Sequence, residues 1–456
     1  MKHAFRSIPA ACVLAFFSLN VVTPASSAND AAASKNWAGW RGPDGLGISS
    51  STGFPEEWSA ERNIAWKTPV PGRGHSSPVV WGDTVFLTTS IEGGPAPEGH
   101  KAIDHLGYDL KPGYLHPDSV GADRLYTLKV MAFDARNGKP LWERTVYDGV
   151  MYDNRHRKNT YASSTMVTDG RAVYAFFESG GLHAFDLQGK PLWSKSFGGI
   201  GKGGMGPGTS PVLFEDLIIL QCDQEMGTGS FIVALNARDG REVWRQERPT
   251  RRSWATPLIV RTAERVEMVT SGAEVVVAYD PRTGKELWRA NGTQSHPIPS
   301  AVAGHGLVFL TAGSQAKRAL AIRLGGEGDL RDSPSVVWRY AKGTAYVPSP
   351  ILVGPYLYLM TDSGIMTCLD AVSGKVVYEG GRPPVPATFT ASLVSYGDRL
   401  LATSEDGETF VIKTGAQHEI VRTNAIGEPV YASLALAGNT IYIRGAQHLF
   451  AVRAGK

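Results

Sequence analysis

Two stretches decide how this chain is read: Ala132-Phe-Asp-Ala-Arg-Asn-Gly-Lys-Pro-Leu-Trp142 and Ala278-Tyr-Asp-Pro-Arg-Thr-Gly-Lys-Glu-Leu-Trp288. They share an apolar strand end, an Asp-to-Gly turn, a basic residue and a strand that opens on an aromatic. Ala234–Trp244 (ALNARDGREVW) and Cys368–Tyr378 (CLDAVSGKVVY) repeat the pattern, and Ala184–Trp193 (AFDLQGKPLW) is one residue shorter. The physical content is direct. Asp134, Asp186, Asn236, Asp280 and Asp370 can accept backbone hydrogen bonds across the turn. Gly138, Gly189, Gly240, Gly284 and Gly374 supply the positive φ such turns need. The aromatic then offers a large flat face for packing against a neighbouring sheet.

A second element precedes each turn: a cluster of small residues leading into an apolar strand. It occurs eight times, beginning at His75 (HSSPVVWGD), Tyr161 (YASSTMVTDG), Gly208 (GTSPVLFEDL), Ser253 (SWATPLIV), Pro299 (PSAVAGHGL), Val347 (VPSPILVGPYL), Thr390 (TASLVSYGDRL) and Tyr431 (YASLALAGNTI). Alternating runs such as Val85-Phe86-Leu87 and Ile441-Tyr442-Ile443 sit between the two elements as middle strands. Each unit thus supplies four short antiparallel strands at roughly 40–50 residues per repeat, the period of β-propeller blades. The reading is an all-β, eight-bladed propeller, with seven blades as the alternative. The eighth unit ends after three strands, and Asn63-Ile-Ala-Trp66-Lys reads as its missing fourth, closing the ring. Trp66, Trp142, Trp193, Trp244, Trp288, Trp338 and Tyr378 are the expected blade-docking aromatics.

The remaining organisation is simple. Residues 1–28 read as a signal peptide: Lys2, His3 and Arg6, then an apolar run from Ile8 to Val22, then Ser26-Ser27-Ala28 as a small-residue cleavage site. An uncleaved N-terminal anchor is the other reading of this run, and Cys12 lies within it rather than after it. Residues 29–62 form an N-terminal extension wrapping the propeller, and 63–456 a single domain with a long insertion at 91–129. Removing residues 1–28 takes away Lys2 and Arg6 and leaves 44 basic against 43 acidic residues, a formal net charge of +1. Such a chain offers no electrostatic reason to bind nucleic acid or an anionic membrane surface. The basic runs 155–158 and 248–252 are expected to be solvated loop faces. Cys222 and Cys368, in apolar runs, are expected as buried thiols.

Equivalent positions in a ring point at its axis, so residues just before each innermost strand should gather at one channel mouth. These are Arg73, His75, Tyr161, Trp254, His296, Tyr346, Phe389 and Tyr431, with His156, Lys158 and Asn159 beside them. Aromatic faces with a few polar tips suit a sugar, a planar ligand or a peptide; the alternative is that they only fill the funnel. The Gly198–Gly208 loop precedes a strand, not a helix, so it is no phosphate cradle, and is expected as a flexible rim. In the insertion, Asp104, His105, Asp109, His116 and Asp118 follow no regular ligand spacing, so no metal is assigned and a solvated loop or lid is expected. Catalytic residues are not identified.

The repeat resembles that of quinoprotein-type, or PQQ-like, propellers, in which Ala-x-Asp-x-x-Thr-Gly-x-x-x-Trp docks one blade on the next. Trp37-Ala-Gly-Trp-Arg-Gly-Pro-Asp-Gly-Leu-Gly47, Trp58 and Asn63–Lys67 resemble the lead-in of exported PQQ-binding-like repeat proteins. In the dehydrogenases this resemblance implies, the quinone lies on the axis between a Trp and adjacent cysteines, beside a carboxylate-bound calcium. This chain has no adjacent cysteine pair, and no calcium set maps onto it. The outer-membrane assembly propellers that share the plan are lipid-anchored, and Cys12 is misplaced for that. The expectation is therefore an exported, monomeric, non-catalytic binding or scaffold protein, periplasmic or secreted, with a protein or glycan partner. A divergent oxidoreductase acting on alcohols or sugars with pyrroloquinoline quinone and calcium is the alternative.

Overall fold

The computed structural model describes residues 35–103 and 116–455, apart from residues 202, 226, 249, 295, 315 and 332. The insertion's Asp104, His105 and Asp109, and the signal-peptide reading, lie outside them. Among the described residues no helix is long and apolar enough to cross a membrane.

Eight antiparallel sheets follow one another along the chain. Blade 1 spans 79–150, blade 2 167–195, blade 3 212–247, blade 4 258–291, blade 5 302–340, blade 6 351–381 and blade 7 394–425. Blade 8 takes three strands from 435–452 and its outermost strand from Ile64–Pro69, which runs antiparallel to His448–Val452 with Trp66 opposite Ala451. Closing the ring this way removes two free sheet edges. The predicted 91–129 insertion is partly regular: the second and third strands of blade 1 extend to Thr84–Pro95 and Arg124–Asp134, and Ser119-Val120 pairs with Arg155-His156. Two blades gain a short fifth strand, Ile48-Ser49 beside the innermost strand of blade 7 and Gly328-Asp329 beside the outermost strand of blade 4.

The repeat motif works as an inter-blade clamp. In each copy the motif's first residue lies opposite the aromatic of the next strand, as Ala132 does to Trp142, Ala234 to Trp244 and Cys368 to Tyr378, and a bulge follows. The indole then leans across to the turn of the next blade. Trp66, Trp142, Trp193, Trp244 and Trp338 donate Nε1–H to the carbonyls of Ala135, Leu187, Ala237, Pro281 and Ala371 at 2.8–3.1 Å. A Cβ on Gly138, Gly189, Gly240, Gly284 or Gly374 would stand 2.5–2.6 Å from the ring of that tryptophan. The glycines therefore serve twice, through positive φ and through close approach.

Two of the expected docking aromatics behave otherwise. The turn of blade 5 is replaced by a longer connection, and Trp288 turns to Glu267 of its own blade instead (Nε1 to Oε2, 2.8 Å). Tyr378 packs on His418 at 5.8 Å, while Tyr358 Oη accepts the Gly415 N–H of blade 7 at 2.8 Å in its place.

The small-residue clusters also have a shared structural purpose. One Ser or Thr from each cluster joins a relay around the channel, each backbone N–H donating to the next blade's hydroxyl. The chain runs Ser77 to Thr165, Ser210, Thr256, Ser300, Ser349, Ser392 and Ser433, with seven bonds of 2.9–3.1 Å. Between blades 8 and 1 the relay is open, and Ser77 Oγ is buried without a hydrogen-bond partner.

The extension does more than wrap the propeller: it crosses the channel. Trp37 exchanges both backbone hydrogen bonds with Val80, Ala38 O accepts from Thr168 N, and Gly47 O accepts from Ser395 N. Arg41, 1% exposed, donates to the carbonyls of Leu46, Pro350 and Leu393. Burial pushes its pKa down to about 9, and it stays charged at neutral pH.

Candidate functional site

Trp40, on this crossing segment, borders two cavities on opposite sides of the waist. Its Nε1 donates to Ser300 Oγ of the hydroxyl relay at 3.0 Å, which fixes the indole. The larger cavity, about 1120 Å³, lies on the face of the first strand turns and is bordered by apolar hairpins of blades 3–5, including Leu213, Phe214, Leu258 and Ile259. The other, about 720 Å³, is the mouth foreseen from the sequence.

Nine of the eleven predicted ligand-contacting residues line this second chamber: His75, His156, Lys158, Asn159, Trp254, His296, Tyr346, Phe389 and Tyr431. Two do not. Arg73 is exposed outside it, its backbone paired with Ser90. Tyr161 is buried beneath it, held by Oη to Asp153 O at 2.8 Å and by the edge of Tyr126. A small-residue cluster starts on the axis but its first residue can face either the lumen or the blade beneath; sequence alone does not separate the two.

The aromatic faces are set in pairs. His75 stacks on Tyr431 (centroids 4.8 Å apart, planes 21°), and Trp254 lies 6.0 Å from His296. Burial, aided by Arg73, Arg444 and Arg155, pushes the pKa of His75 down to about 3. Burial also lowers His156 and His296. These imidazoles are neutral at pH 7, able to stack and hydrogen-bond but carrying no charge.

A roof covers the side of blades 1–3. Asn159 Nδ2 donates to the carbonyls of Met205 and Pro207, and Ser119 Oγ to Gly204 O. The glycine-rich loop is thus no flexible rim. A Cβ on Gly199 would lie 2.1 Å from the Tyr152 ring, and one on Gly206 2.7 Å from Arg155 Cβ; its glycines permit close packing. Nor are two of the arginines of 248–252 solvated, although Arg251 between them in sequence is exposed. Arg248 and Arg252 are buried in ion pairs with Asp223 (2.8 Å) and Glu178 (2.6 Å), and Arg252 stacks over Trp254. From the roof Lys158 reaches past blades 1 and 8 to Glu405 of blade 7 at 3.0 Å, and Thr390 Oγ1 also donates to Glu405 at 2.6 Å. Asp118 holds Arg157 Nε (3.0 Å) and His156 Nε2 (3.3 Å).

Several lining residues escape a reading based on strand starts: Trp40, Ser314, Asp362, Glu405 and the relay hydroxyls. The topology contains the missing signal for three of them. The turn between the second and third strands of a blade returns to the mouth where the first strand begins, so Ser314, Asp362 and Glu405 belong there. Trp40 has no such signal, because its partner is 260 residues away.

A ring of eight such sheets, clamped by tryptophans and closed by an N-terminal strand, is a β-propeller of PQQ-like repeats. The family model for outer membrane protein assembly factor BamB matches residues 57–225 and 228–455, and the chain belongs to that family. No match was found among curated proteins. Among solved structures, BamB from Moraxella catarrhalis is similar at 15% identity and a TM-score of 0.53, covering 82% of this chain and 98% of that one. Quinohemoprotein alcohol dehydrogenase ADHIIG from Pseudomonas putida HK5 is similar at 12% identity and TM-score 0.59, covering 93% and 82%. A europium-containing methanol dehydrogenase is similar at 11% and 0.56, covering 91% and 90%. At these identities the likeness carries the fold, not the chemistry.

Proposed function

We propose that this is an exported, non-catalytic binding or scaffold protein that presents the roofed mouth and its loops to a ligand or protein partner. The observation that supports this is the state of the chamber's charged groups. Lys158 and Arg157 are already engaged by Glu405 and Asp118, and His75 is neutral and stacked. General acid–base work needs a group whose pKa lies near the working pH, and an imidazole held near 3 is a poor proton acceptor. What remains is a rigid aromatic cup with a fixed floor, which suits recognition.

Quinone chemistry, the alternative, is not supported by the residues present. Cys222 and Cys368 are buried thiols in the cores of blades 3 and 6, away from the chamber lining. Among the described residues no group of three or more His, Cys, Asp or Glu side chains is placed to hold a metal ion. The indole of Trp40 floors the chamber, but the three carboxylates of pyrroloquinoline quinone would face Asp362, Glu405 and Asp118.

The test is a thermal-shift titration of the mature protein with the quinone, with and without calcium, beside a dye-linked assay on alcohols and sugars. A ligand that binds only the folded state raises the melting temperature once its concentration passes Kd. The expected result is no shift and no dye reduction. A calcium-dependent rise with substrate-dependent reduction overturns the proposal in favour of an oxidoreductase.

A further inference from the structure

We propose that the roofed chamber binds a neutral saccharide, seated on the aromatic faces with its hydroxyls on the serine floor. This inference rests on the binding reading above and gives the ligand its chemistry.

Charge is the first filter. Among the described residues, the carboxylates bordering the chamber are Asp118, Asp362 and Glu405, against the cations Arg157 and Lys158. Each cation is within 3.0 Å of a carboxylate, and His75, His156 and His296 are held neutral by burial. An anion entering here must break an existing pair and face three carboxylates against two cations. A purely cationic ligand meets carboxylates that are already satisfied in two of three cases.

Polarity of the floor is the second filter. The relay hydroxyls Ser300, Ser349, Ser392 and Ser433 each accept one backbone N–H from the neighbouring blade, Ser300 accepting the Trp40 indole as well, and among the described residues no bond that they donate is seen. A hydroxyl carries one donor and two acceptor sites, so each keeps a proton to give to whatever lies above the floor. A hydrocarbon ligand would leave these donors without partners, which disfavours it. The ligand must supply acceptors below and apolar faces to Trp40, Trp254, Tyr346 and the His75–Tyr431 stack.

A pyranose ring meets both demands, since it exposes C–H groups on its faces and hydroxyls around its edge. The cavity of about 720 Å³ lies within the roughly 300–1,000 Å³ usual for small-molecule sites. It accommodates a short oligosaccharide, entering on the side that the roof leaves open.

The experiment is isothermal titration of the mature protein with N,N′,N″-triacetylchitotriose and maltotriose as neutral probes. Trigalacturonate, pyrroloquinoline quinone and spermidine serve as charged ones, and each titration is repeated on Tyr346→Ala. The inference expects at least one neutral trisaccharide to bind with a Kd unchanged up to about 0.5 M salt, where the Debye length has shrunk to a few ångströms. Trigalacturonate should bind at least about tenfold more weakly, and Tyr346→Ala should weaken the neutral ligand about tenfold through loss of its stacking face. A circular dichroism melt checks that the variant is folded. A charged probe that binds more tightly than both trisaccharides, and is weakened by Tyr346→Ala, overturns the neutral-saccharide inference and leaves the binding reading standing. Failure of both neutral probes at millimolar concentration overturns it as well, whereas the binding reading itself falls only on turnover.

Discussion

Replacing Gly240 with Ala tests the inter-blade clamp quantitatively, because the structure offers a control that separates its two costs. Gly240 has φ +71° and its missing Cβ would sit 2.6 Å from the ring of Trp193. Gly306 has nearly the same backbone, φ +72°, with nothing within 4 Å of the added carbon. Left-handed backbone costs an L-residue about 1–2 kcal/mol, offset by about 0.4–1 kcal/mol from the restricted unfolded chain. Gly306→Ala should therefore cost about 1 kcal/mol. Gly240→Ala should add about 1–3 kcal/mol of overpacking. It should also lose the Trp193 Nε1 bond to Ala237 O, now 3.0 Å, worth about 1 kcal/mol. An unfolding entropy of about 2.1 cal/mol/K per residue over roughly 420 residues makes 1 kcal/mol equivalent to about 1 °C, if all blades melt together. Scanning calorimetry should show a fall of about 1 °C for Gly306→Ala and about 3–5 °C for Gly240→Ala. In a Trp193→Ala background the Gly240 substitution should cost no more than the Gly306 one. Equal shifts for the two single variants, or an undiminished Gly240 cost without Trp193, would show that conformation alone demands glycine there.

Four further outcomes are expected. Ser392→Ala should cost about 1–3 kcal/mol because it leaves the buried Ser349 N–H without an acceptor, while Ser77→Ala should be nearly neutral since its Oγ bonds to nothing; denaturant midpoints compare them. Trp288→Phe should cost more than Trp244→Phe, by about 1–2 kcal/mol, because it strips a donor from the fully buried Glu267 carboxylate rather than from a backbone carbonyl. The folded-state pKa of His75, about 3, lies below its unfolded value of about 6.5. The unfolded chain therefore takes up the proton first, and this residue withdraws stability as pH falls from about 6.5 toward 3, at up to about 1.4 kcal/mol per unit. His75→Phe should shrink the drop in melting temperature between pH 7 and pH 5, and an unchanged drop would contradict the assignment. Lys158→Met should change stability by less than about 1 kcal/mol, as a half-exposed ion pair does, yet speed amide exchange across residues 153–160 several-fold in mass-spectrometric hydrogen exchange.

Much of the site is legible from repetition, and its gaps have identifiable causes. Once Ala-x-Asp turns and small-residue clusters recur in register, ring symmetry alone carries His75, Trp254, His296, Tyr346, Phe389 and Tyr431 to one mouth. Symmetry does not say which way a residue at the first strand leans, so Arg73 and Tyr161 fall elsewhere. Composition misleads where burial is paired: Arg248 and Arg252 belong to a basic run by sequence but are buried against Asp223 and Glu178, acids 25 and 74 residues away. The glycine-rich loop misleads in the same way, because a glycine needed for close packing and one needed for flexibility look identical in sequence.

The sequence by itself pointed to an eight-bladed ring over a seven-bladed one, to the turn and aromatic of the clamp, to the N-terminal closing strand and to nine of the residues that line the mouth. All of these follow from local strand and turn chemistry multiplied by repetition. Only the tertiary structure decided that Trp37–Gly47 crosses the channel and that Trp40 floors the chamber. It also decided that the small-residue clusters form one hydroxyl relay, and that Lys158 spans the mouth to Glu405. The relay residues recur with the blades, but the other features join residues up to hundreds of positions apart that share no periodic signal. Their pairing is fixed by where closure of the ring brings backbones together, a property of the assembled fold rather than of any one repeat.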